Sequence, residues 1–187
     1  MMGGYIRSRA LPTIEQLKEV GAIFYDFDGV MTDNRVLVNE TGFESVFCNR
    51  SDGLAISEFR RLGIHQVIIS TETNPAVVRR AEKLKIPVIH KLDSTNVDKG
   101  QVLEKYADEN GIKLSYSIFI GNDINDLPAL KLVAYPGCPN DAEEEVRSFC
   151  ERHIKDAGKG WISTRNGGYG VVRELMRTIM LSASVTI

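Results

Sequence analysis

Short apolar runs alternate with amphipathic segments along most of this chain. Apolar runs typical of buried parallel strands occupy residues 22–25, 67–69, 88–89, 117–120 and 133–135. Helical patterns cover 13–20, 52–62, 75–84, 97–110, 127–132 and 142–150, and a last helix ends near residue 180. Because strands alternate with helices, the pattern predicts an α/β fold, a Rossmann-like three-layer arrangement with helices on both faces of a parallel sheet.

Residues 35–48 interrupt this alternation. Two short apolar runs there flank a polar turn with a glycine, which predicts a β-hairpin. Its apolar residues would give it faces that a lone hairpin cannot bury, namely Val36, Val38, Val46 and Phe47. A Gly-rich segment at 158–170 precedes the last helix. With no repeat or low-complexity linker, we expect one domain over residues 1–187.

Composition narrows the class of protein. The chain has 187 residues, of which 43% are hydrophobic and 26% charged, with a net charge of −2. Nothing here indicates nucleic-acid or membrane binding through bulk charge, and no apolar run reaches membrane-spanning length. The first nine residues lack the apolar core of a signal peptide. Three widely spaced cysteines, Cys48, Cys138 and Cys150, match no zinc pattern, so we expect reduced thiols in a cytoplasmic protein.

Two carboxylates end the first strand. Asp26 and Asp28 would lie at its carboxyl end, where open α/β sheets bind ligands, and Gly29 would let the chain leave the sheet beside a bound phosphate. A divalent cation would relieve the repulsion between the two acids. One carboxylate could attack phosphorus and the other could transfer protons. A solvated Asp-Gly turn is the ordinary alternative.

The ends of other strands carry matching side chains. Ser70 and Thr71 follow the second parallel strand and could hold phosphoryl oxygens. Lys99, just inside a helix start, could offset the charge of a phosphate and a nucleophile. Asn122 and Asp123 follow strand 117–120 and suit a hard cation such as Mg²⁺. Each alone could be a turn, a surface lysine or a helix cap, but their combination indicates a phosphate site.

In these motifs the chain resembles the haloacid dehalogenase superfamily of aspartate-nucleophile phosphatases. The resemblance implies that Asp26 is the nucleophile, Asp28 the general acid and base, and Ser70 the phosphate-binding hydroxyl. It also implies that Lys99 is the third-motif lysine and that residues 121–126 form the metal-binding motif.

One position departs from the family pattern. Asn122 stands where the family usually has Asp, so the resemblance leaves open whether Asn122 or Asp123 completes a Mg²⁺ site with Asp26 and Asp28. The loss of one negative charge is expected to weaken metal affinity.

Short spacings between the motifs resemble the capless branch of the family. Segments 29–33, 50–53 and 167–174 are similar to phosphatases of 2-keto-3-deoxy sugar acids in lipopolysaccharide or sialic acid pathways. That branch includes 3-deoxy-octulosonate 8-phosphate phosphatase and phosphatases of nine-carbon ulosonate 9-phosphates. Ser70–Pro75 together with Arg50–Gly53 favours a nine-carbon substrate.

The resemblance also implies a homotetramer whose hairpins form a central barrel. Arg50 and Arg173 are candidates for the substrate carboxylate, because a guanidinium can grip a carboxylate at two points. Arg50 could equally be a surface residue, and Arg173 could pair with Glu174. A second hypothesis is a catalytically weak or silent oligomerisation domain, related to the C-terminal domain of acylneuraminate cytidylyltransferases.

Overall fold

The computed structural model describes residues 10–90 and 98–184. Its strands are β1 (Ile23–Tyr25), β2 (Thr32–Val38), β3 (Glu44–Cys48), β4 (Gln66–Ile69), β5 (Val88–Ile89), β6 (Ile118–Ile120), β7 (Tyr135–Cys138) and β8 (Trp161–Ile162). Its α-helices are α1 (Ile14–Glu19), α2 (Arg50–Arg61), α3 (Pro75–Leu84), α4 (Lys99–Glu109), α5 (Leu127–Leu130), α6 (Glu144–Ala157) and α7 (Val171–Ser184). Short 3-10 helices cover Leu114–Tyr116 and Ile124–Asp126.

Within the described residues, six strands form a parallel sheet in the order β5-β4-β1-β6-β7-β8. β1 lies inside it, with Phe24 opposite Val67 of β4 and Phe119 of β6. Ile23 and Tyr25 pack into one apolar core with residues of α2, α3 and α7, whereas Phe24 packs into a second with residues of α4 and α6. The three-layer α/β fold predicted from the sequence is therefore confirmed.

Side-chain caps determine where α3 and α4 begin. Asn74 accepts a hydrogen bond from the Ala76 amide, and Pro75 begins α3. Asp98 caps α4 by accepting from the Gln101 amide. Lys99 is consequently the first residue of α4.

One predicted strand was misplaced, and one strand was not predicted. The strand predicted at 133–135 lies at Tyr135–Cys138, where Pro136 and Gly137 interrupt the usual β pattern. A Cβ at Gly137 would lie 2.6 Å from the Ile120 side chain, so close packing against β6 requires glycine there. The Gly-rich segment 158–170 contains β8, which the sequence analysis missed because the strand has two residues.

The predicted hairpin is present as β2 and β3, a separate antiparallel pair. It begins at Thr32, three residues earlier than predicted. Val46 packs against the core, but other apolar hairpin residues are more than half exposed: Val36, Leu37, Val38, Phe43 and Phe47. None of the described helices is long and apolar enough to cross a membrane.

Candidate active site

A buried lysine lies between two carboxylates at the carboxyl edge of the sheet. Asp26 follows β1, and Asp126 ends the 3-10 helix after β6. The Nζ atom of Lys99 lies 2.7 Å from Asp26 Oδ1 and 2.6 Å from Asp126 Oδ1. The Lys99 side chain is only 1% exposed. Because an unpaired buried ammonium is very unfavourable, these two contacts are what allow the charge to stay there.

Asp126, predicted only as part of the metal-binding segment 121–126, has a further structural role. Its Oδ2 accepts hydrogen bonds from the backbone amides of Asn122 at 2.8 Å and Asp123 at 3.1 Å. Its other oxygen binds Lys99, so this carboxylate fixes both the loop after β6 and the lysine. The reciprocal capping box between Asp123 and Asp126 was the sequence signal that could have identified it.

Asp28 lies in a tight turn after β1. Gly29 has a φ of +75°, and a Cβ there would lie 2.0 Å from the Asn122 side chain. Glycine therefore lets the turn approach Asn122. The Thr32 hydroxyl donates to Asp28 Oδ1 at 3.0 Å and accepts from the Gly29 amide at 3.2 Å. The amide of Gly29, the residue predicted to lie beside a bound phosphate, is therefore hydrogen-bonded within the turn.

Burial and charge shift the proton affinities of this cluster. Burial, reinforced by Asp126, raises the pKa of Asp26 to about 8, although Lys99 opposes the shift. Burial also raises the pKa of Asp28, and Glu72 adds to that effect. Burial alone would lower the pKa of Lys99, but Asp26 and Asp126 raise it, so the lysine stays charged. When Asp26, Asp28 and Asp126 are all ionised, they carry more negative charge than one ammonium offsets, and a further cation would be favoured.

The position of the Asn122 amide bears on whether these residues could bind a divalent cation. One of the two terminal atoms of its side-chain amide lies 2.7 Å from the Asp28 carbonyl oxygen and 3.1 Å from Asp26 Oδ2. If that atom is nitrogen, it donates to both oxygens. When the amide is rotated by 180°, its oxygen lies beside the oxygens of Asp26 and Asp28, and a cation bound among the three would offset their repulsion. The donor set therefore fits Mg²⁺, which prefers oxygen ligands.

Asp123 is placed less favourably for the same cation. Its Oδ1 accepts from the Ile124 amide at 2.6 Å and so caps its own 3-10 helix. Among residues 10–90 and 98–184, no three His, Cys, Asp or Glu side chains form a metal-binding group. A metal here would accordingly depend on the Asn122 amide and on the backbone of Asp28.

A cavity of about 180 Å³ opens above this cluster. Predicted site residues that line it are Asp26, Asp28, Ser70, Thr71, Asn122 and Asp123. Three further lining residues were not predicted, namely Asn34, Glu72 and Asn125. Ser70, directly after β4, is buried, and its hydroxyl accepts from the Glu72 amide at 3.1 Å. The carboxyl ends of β1, β4 and β6 thus meet at one cavity.

The structure does not bring Arg50 or Arg173 to this cavity. Arg50 lies in a groove of about 400 Å³ between α2 and α3. Arg173 lies on α7, where its guanidinium contacts the sulfur of Met176 at 3.8 Å. Glu174, its possible partner, instead accepts hydrogen bonds from Ser163 and Thr164. A substrate contact by either arginine stays a prediction, and it would require a second subunit.

The family model of haloacid dehalogenase-like hydrolases matches residues 55–160, more than half of the chain. This chain belongs to the haloacid dehalogenase-like hydrolase family. The matched range contains Ser70, Lys99 and Asn122, whereas the Asp26–Asp28 pair precedes it. The predicted family is confirmed.

Two solved structures cover nearly all of the chain. A protein described as a HAD family hydrolase from Streptomyces avermitilis is 38% identical, with a TM-score of 0.79 over 91% of this chain and 95% of that one. The 3-deoxy-D-manno-octulosonate 8-phosphate phosphatase from Moraxella catarrhalis, solved with magnesium, phosphate and KDO, is 28% identical, with a TM-score of 0.76 over 90% of each chain. These relatives support the predicted enzyme class, phosphatase.

A longer relative also matches. The N-acylneuraminate cytidylyltransferase A of Danio rerio is 25% identical over 164 residues, which are 87% of this chain and 35% of the relative. The chain therefore spans about a third of the length of the curated cytidylyltransferases that it matches.

Proposed function

We propose that this chain is a Mg²⁺-dependent phosphatase that hydrolyses a phosphorylated 2-keto-3-deoxy sugar acid through an aspartyl-phosphate. The convergence of Asp26 and Asp28 at one cavity, with the ammonium of Lys99 buried against Asp26, carries the proposal. Family membership and the phosphatase from Moraxella catarrhalis support it.

The reaction follows from the placement of the two acids. The Asp26 carboxylate attacks phosphorus, and the bond from phosphorus to the sugar oxygen breaks. Asp28 donates a proton to that departing oxygen, and burial, which raises its pKa, favours the protonated form. Asp28 then takes a proton from the water that attacks the aspartyl-phosphate. Inorganic phosphate leaves, and Asp26 is regenerated.

Lys99 and the cation site share the charge of this reaction. The Lys99 ammonium, 2.7 Å from Asp26 Oδ1, favours the ionised form of the nucleophile against the effect of burial and would offset incoming phosphoryl charge. Asp26, Asp28 and Asn122 would hold Mg²⁺, which when bound supplies additional positive charge against the phosphoryl oxygens. Ser70 would hold one of those oxygens by a hydrogen bond.

Binding of the substrate carboxylate would require basic residues from a second subunit. Within the described residues, the cavity lining has no lysine or arginine to bind a carboxylate. The groove that contains Arg50 is basic, with Arg80 and Lys83 and no acidic residue in its lining. We infer that a homotetramer, joined through the exposed apolar hairpins, brings this groove of one subunit to the cavity of another.

Release of phosphate tests the proposal directly. The purified chain should hydrolyse p-nitrophenyl phosphate with Mg²⁺ and stop when EDTA removes the metal. The hydrolysis rates of an eight-carbon ulosonate 8-phosphate and a nine-carbon ulosonate 9-phosphate should then be compared. The sequence favours the nine-carbon ester as the better substrate. A folded chain that releases phosphate from none of these esters would refute the proposed activity.

A silent assembly domain is the second candidate. The exposed apolar hairpin and the match to longer cytidylyltransferases favour it. It predicts a stable oligomer without metal-dependent hydrolysis, so the same assay distinguishes it from the phosphatase.

A further inference from the structure

Two sequence motifs without a role in the proposed reaction steps lie next to each other in the fold. The second of them contacts residues 29–33, which we call the catalytic turn. Arg50–Gly53 begins α2, and Gly167–Glu174 leads into α7. The two helices pack against each other. A supporting loop, residues 163–170, joins β8 to α7 and lies against the catalytic turn.

Asp52 fixes the start of α7. Its side chain is buried, and its Oδ1 accepts from the Arg173 amide at 2.9 Å. Its Oδ2 has no hydrogen-bond partner among the described residues. Burial raises the pKa of Asp52 to about 6, although the Arg173 amide opposes the shift. Burial of a carboxyl group with one oxygen lacking a hydrogen-bond partner is unfavourable. The hydrogen bond that Asp52 accepts from the first turn of α7 explains why this acid is present.

At Gly167 and Gly168 the supporting loop approaches the backbone of the catalytic turn closely. The Gly168 amide donates to the Val30 carbonyl at 3.0 Å. A Cβ on Gly167 would lie 2.1 Å from the Gly29 carbonyl oxygen, and one on Gly168 would lie 2.5 Å from the Asp33 amide nitrogen. No side chain fits between the two segments, so a shift of one must displace the other.

Thr32 links this contact to the reaction. Its carbonyl oxygen would lie 3.1 Å from a Cβ on Gly167, and its hydroxyl donates to Asp28 Oδ1 at 3.0 Å. Displacement of the supporting loop therefore moves the residue that orients the Asp28 carboxylate.

We propose that Asp52 and the Gly167–Gly168 pair are positioning residues for Asp28. They hold the catalytic turn so that the Asp28 carboxylate and carbonyl face the cavity, and they do not themselves contact substrate. This inference rests on the proposed function, because it concerns the residue assigned to proton transfer and metal binding.

Gly168→Ala and Gly158→Ala form a matched pair for the test. Gly168 has a φ of +73° and Gly158 a φ of +69°, so both alanines suffer similar backbone strain. Only at Gly168 does the new methyl group meet the catalytic turn, since nothing lies within 4 Å of a Cβ at Gly158.

We expect Gly168→Ala to lower kcat/KM for p-nitrophenyl phosphate about tenfold or more and to weaken Mg²⁺ binding, measured by calorimetry, by a similar factor. Gly158→Ala should leave both within about twofold of the wild type. Circular dichroism below the melting transition confirms that each variant is folded.

Asp52 provides a second test in case Gly168→Ala does not fold. Asp52→Ala removes the acceptor for the Arg173 amide and should lower kcat/KM and Mg²⁺ affinity about threefold to tenfold. Asp52→Asn keeps an acceptor oxygen and should recover most of both values.

The outcomes separate the two proposals. An active wild type, with folded Gly168→Ala and Asp52→Ala variants whose kcat/KM and Mg²⁺ affinity are unchanged, would overturn the positioning role and leave the phosphatase intact. A wild type that neither binds Mg²⁺ nor hydrolyses phosphate esters would overturn the proposed function and the positioning role with it.

Discussion

The catalytic edge of the sheet and the β-hairpin depart from ordinary burial in opposite directions. At the edge, Lys99 and Asp126 are charged side chains with 1% and 0% exposure. On the hairpin, Phe47 and Leu37 are apolar side chains with 66% and 62% exposure. The buried charges satisfy one another within this chain, whereas the described residues offer the exposed apolar groups no cover. The difference is what the proposed function would require, with the groups for phosphate chemistry supplied by one chain and the hairpin covered by a second copy of it.

Replacement of the proposed nucleophile, Asp26, should have the largest effect on phosphate release at the catalytic edge. Asp26→Asn keeps the size of the side chain but cannot form the aspartyl-phosphate, so we expect turnover to fall about ten-thousand-fold. Phosphate release with saturating Mg²⁺ measures it. Asp108→Asn, a change of an exposed residue of α4, should leave the rate unchanged. Appreciable turnover by a folded Asp26→Asn variant would rule out this mechanism.

Loss of the buried lysine tests whether the edge depends on its internal charge pairs. Lys99→Met leaves Asp26 and Asp126 without their shared partner, and we expect a loss of about 3–5 kcal/mol in the free energy of unfolding. Urea denaturation measures it. Lys105→Met is the control, because that lysine is 78% exposed on the same helix and should cost less than about 0.5 kcal/mol. Equal effects of the two changes would contradict the comparison.

Polar substitution on the hairpin tests the opposite region. Phe47→Ser removes an apolar group whose burial in a partner would contribute about 2–3 kcal/mol per subunit. We expect light scattering to show a smaller oligomer. The melting temperature of the individual subunit should change little. Leu181→Ser, at a residue 56% exposed on α7, is the control and should keep the wild-type mass. A wild type that is already monomeric would show that the hairpin does not serve assembly.

A buried acid outside the cavity gives the smallest effect, which depends on pH. The folded-state pKa of Asp52 is raised from 3.8 to about 6, so the folded chain holds this proton more tightly than the unfolded chain. The resulting stability is fully present below about pH 4 and is lost as the pH rises through 6, which amounts to about 2–3 kcal/mol. Asp52→Asn should lack this loss.

Urea denaturation of Asp52→Asn and the wild type from pH 4 to 7 isolates the effect, because the other buried acids are common to both chains. A difference in stability that stays constant with pH would show that the pKa of Asp52 is not raised in the folded protein.

Much of the candidate site could be predicted because its residues follow apolar runs or helix caps. Asp26 and Ser70 come directly after such a strand, and Asn122 follows another after a single glycine. Lys99 follows the cap Asp98. Since parallel strands present their carboxyl ends at one edge, the fold alone implied that these side chains are neighbours. The roles assigned to them stay predictions that the experiments above test.

Other features depended on contacts between distant segments. β7 was placed wrongly because Pro136 and Gly137 obscure the strand pattern, and only packing against β6 favours a strand there. Thr32 was overlooked because its contact with Asp28 arises in a turn whose shape follows from Gly29 and Asn122.

The sequence by itself determined the alternation of strands and helices, the edge of the sheet that carries the acids, and a hairpin with unburied apolar residues. These are consequences of local patterns, which fix secondary structure and burial. Only the tertiary structure decided that Asp126 shares Lys99 with Asp26 and that Arg50 and Arg173 lie away from the cavity of their own chain. Those placements depend on how α2, α4 and α7 pack against the sheet, and no local pattern contains that information.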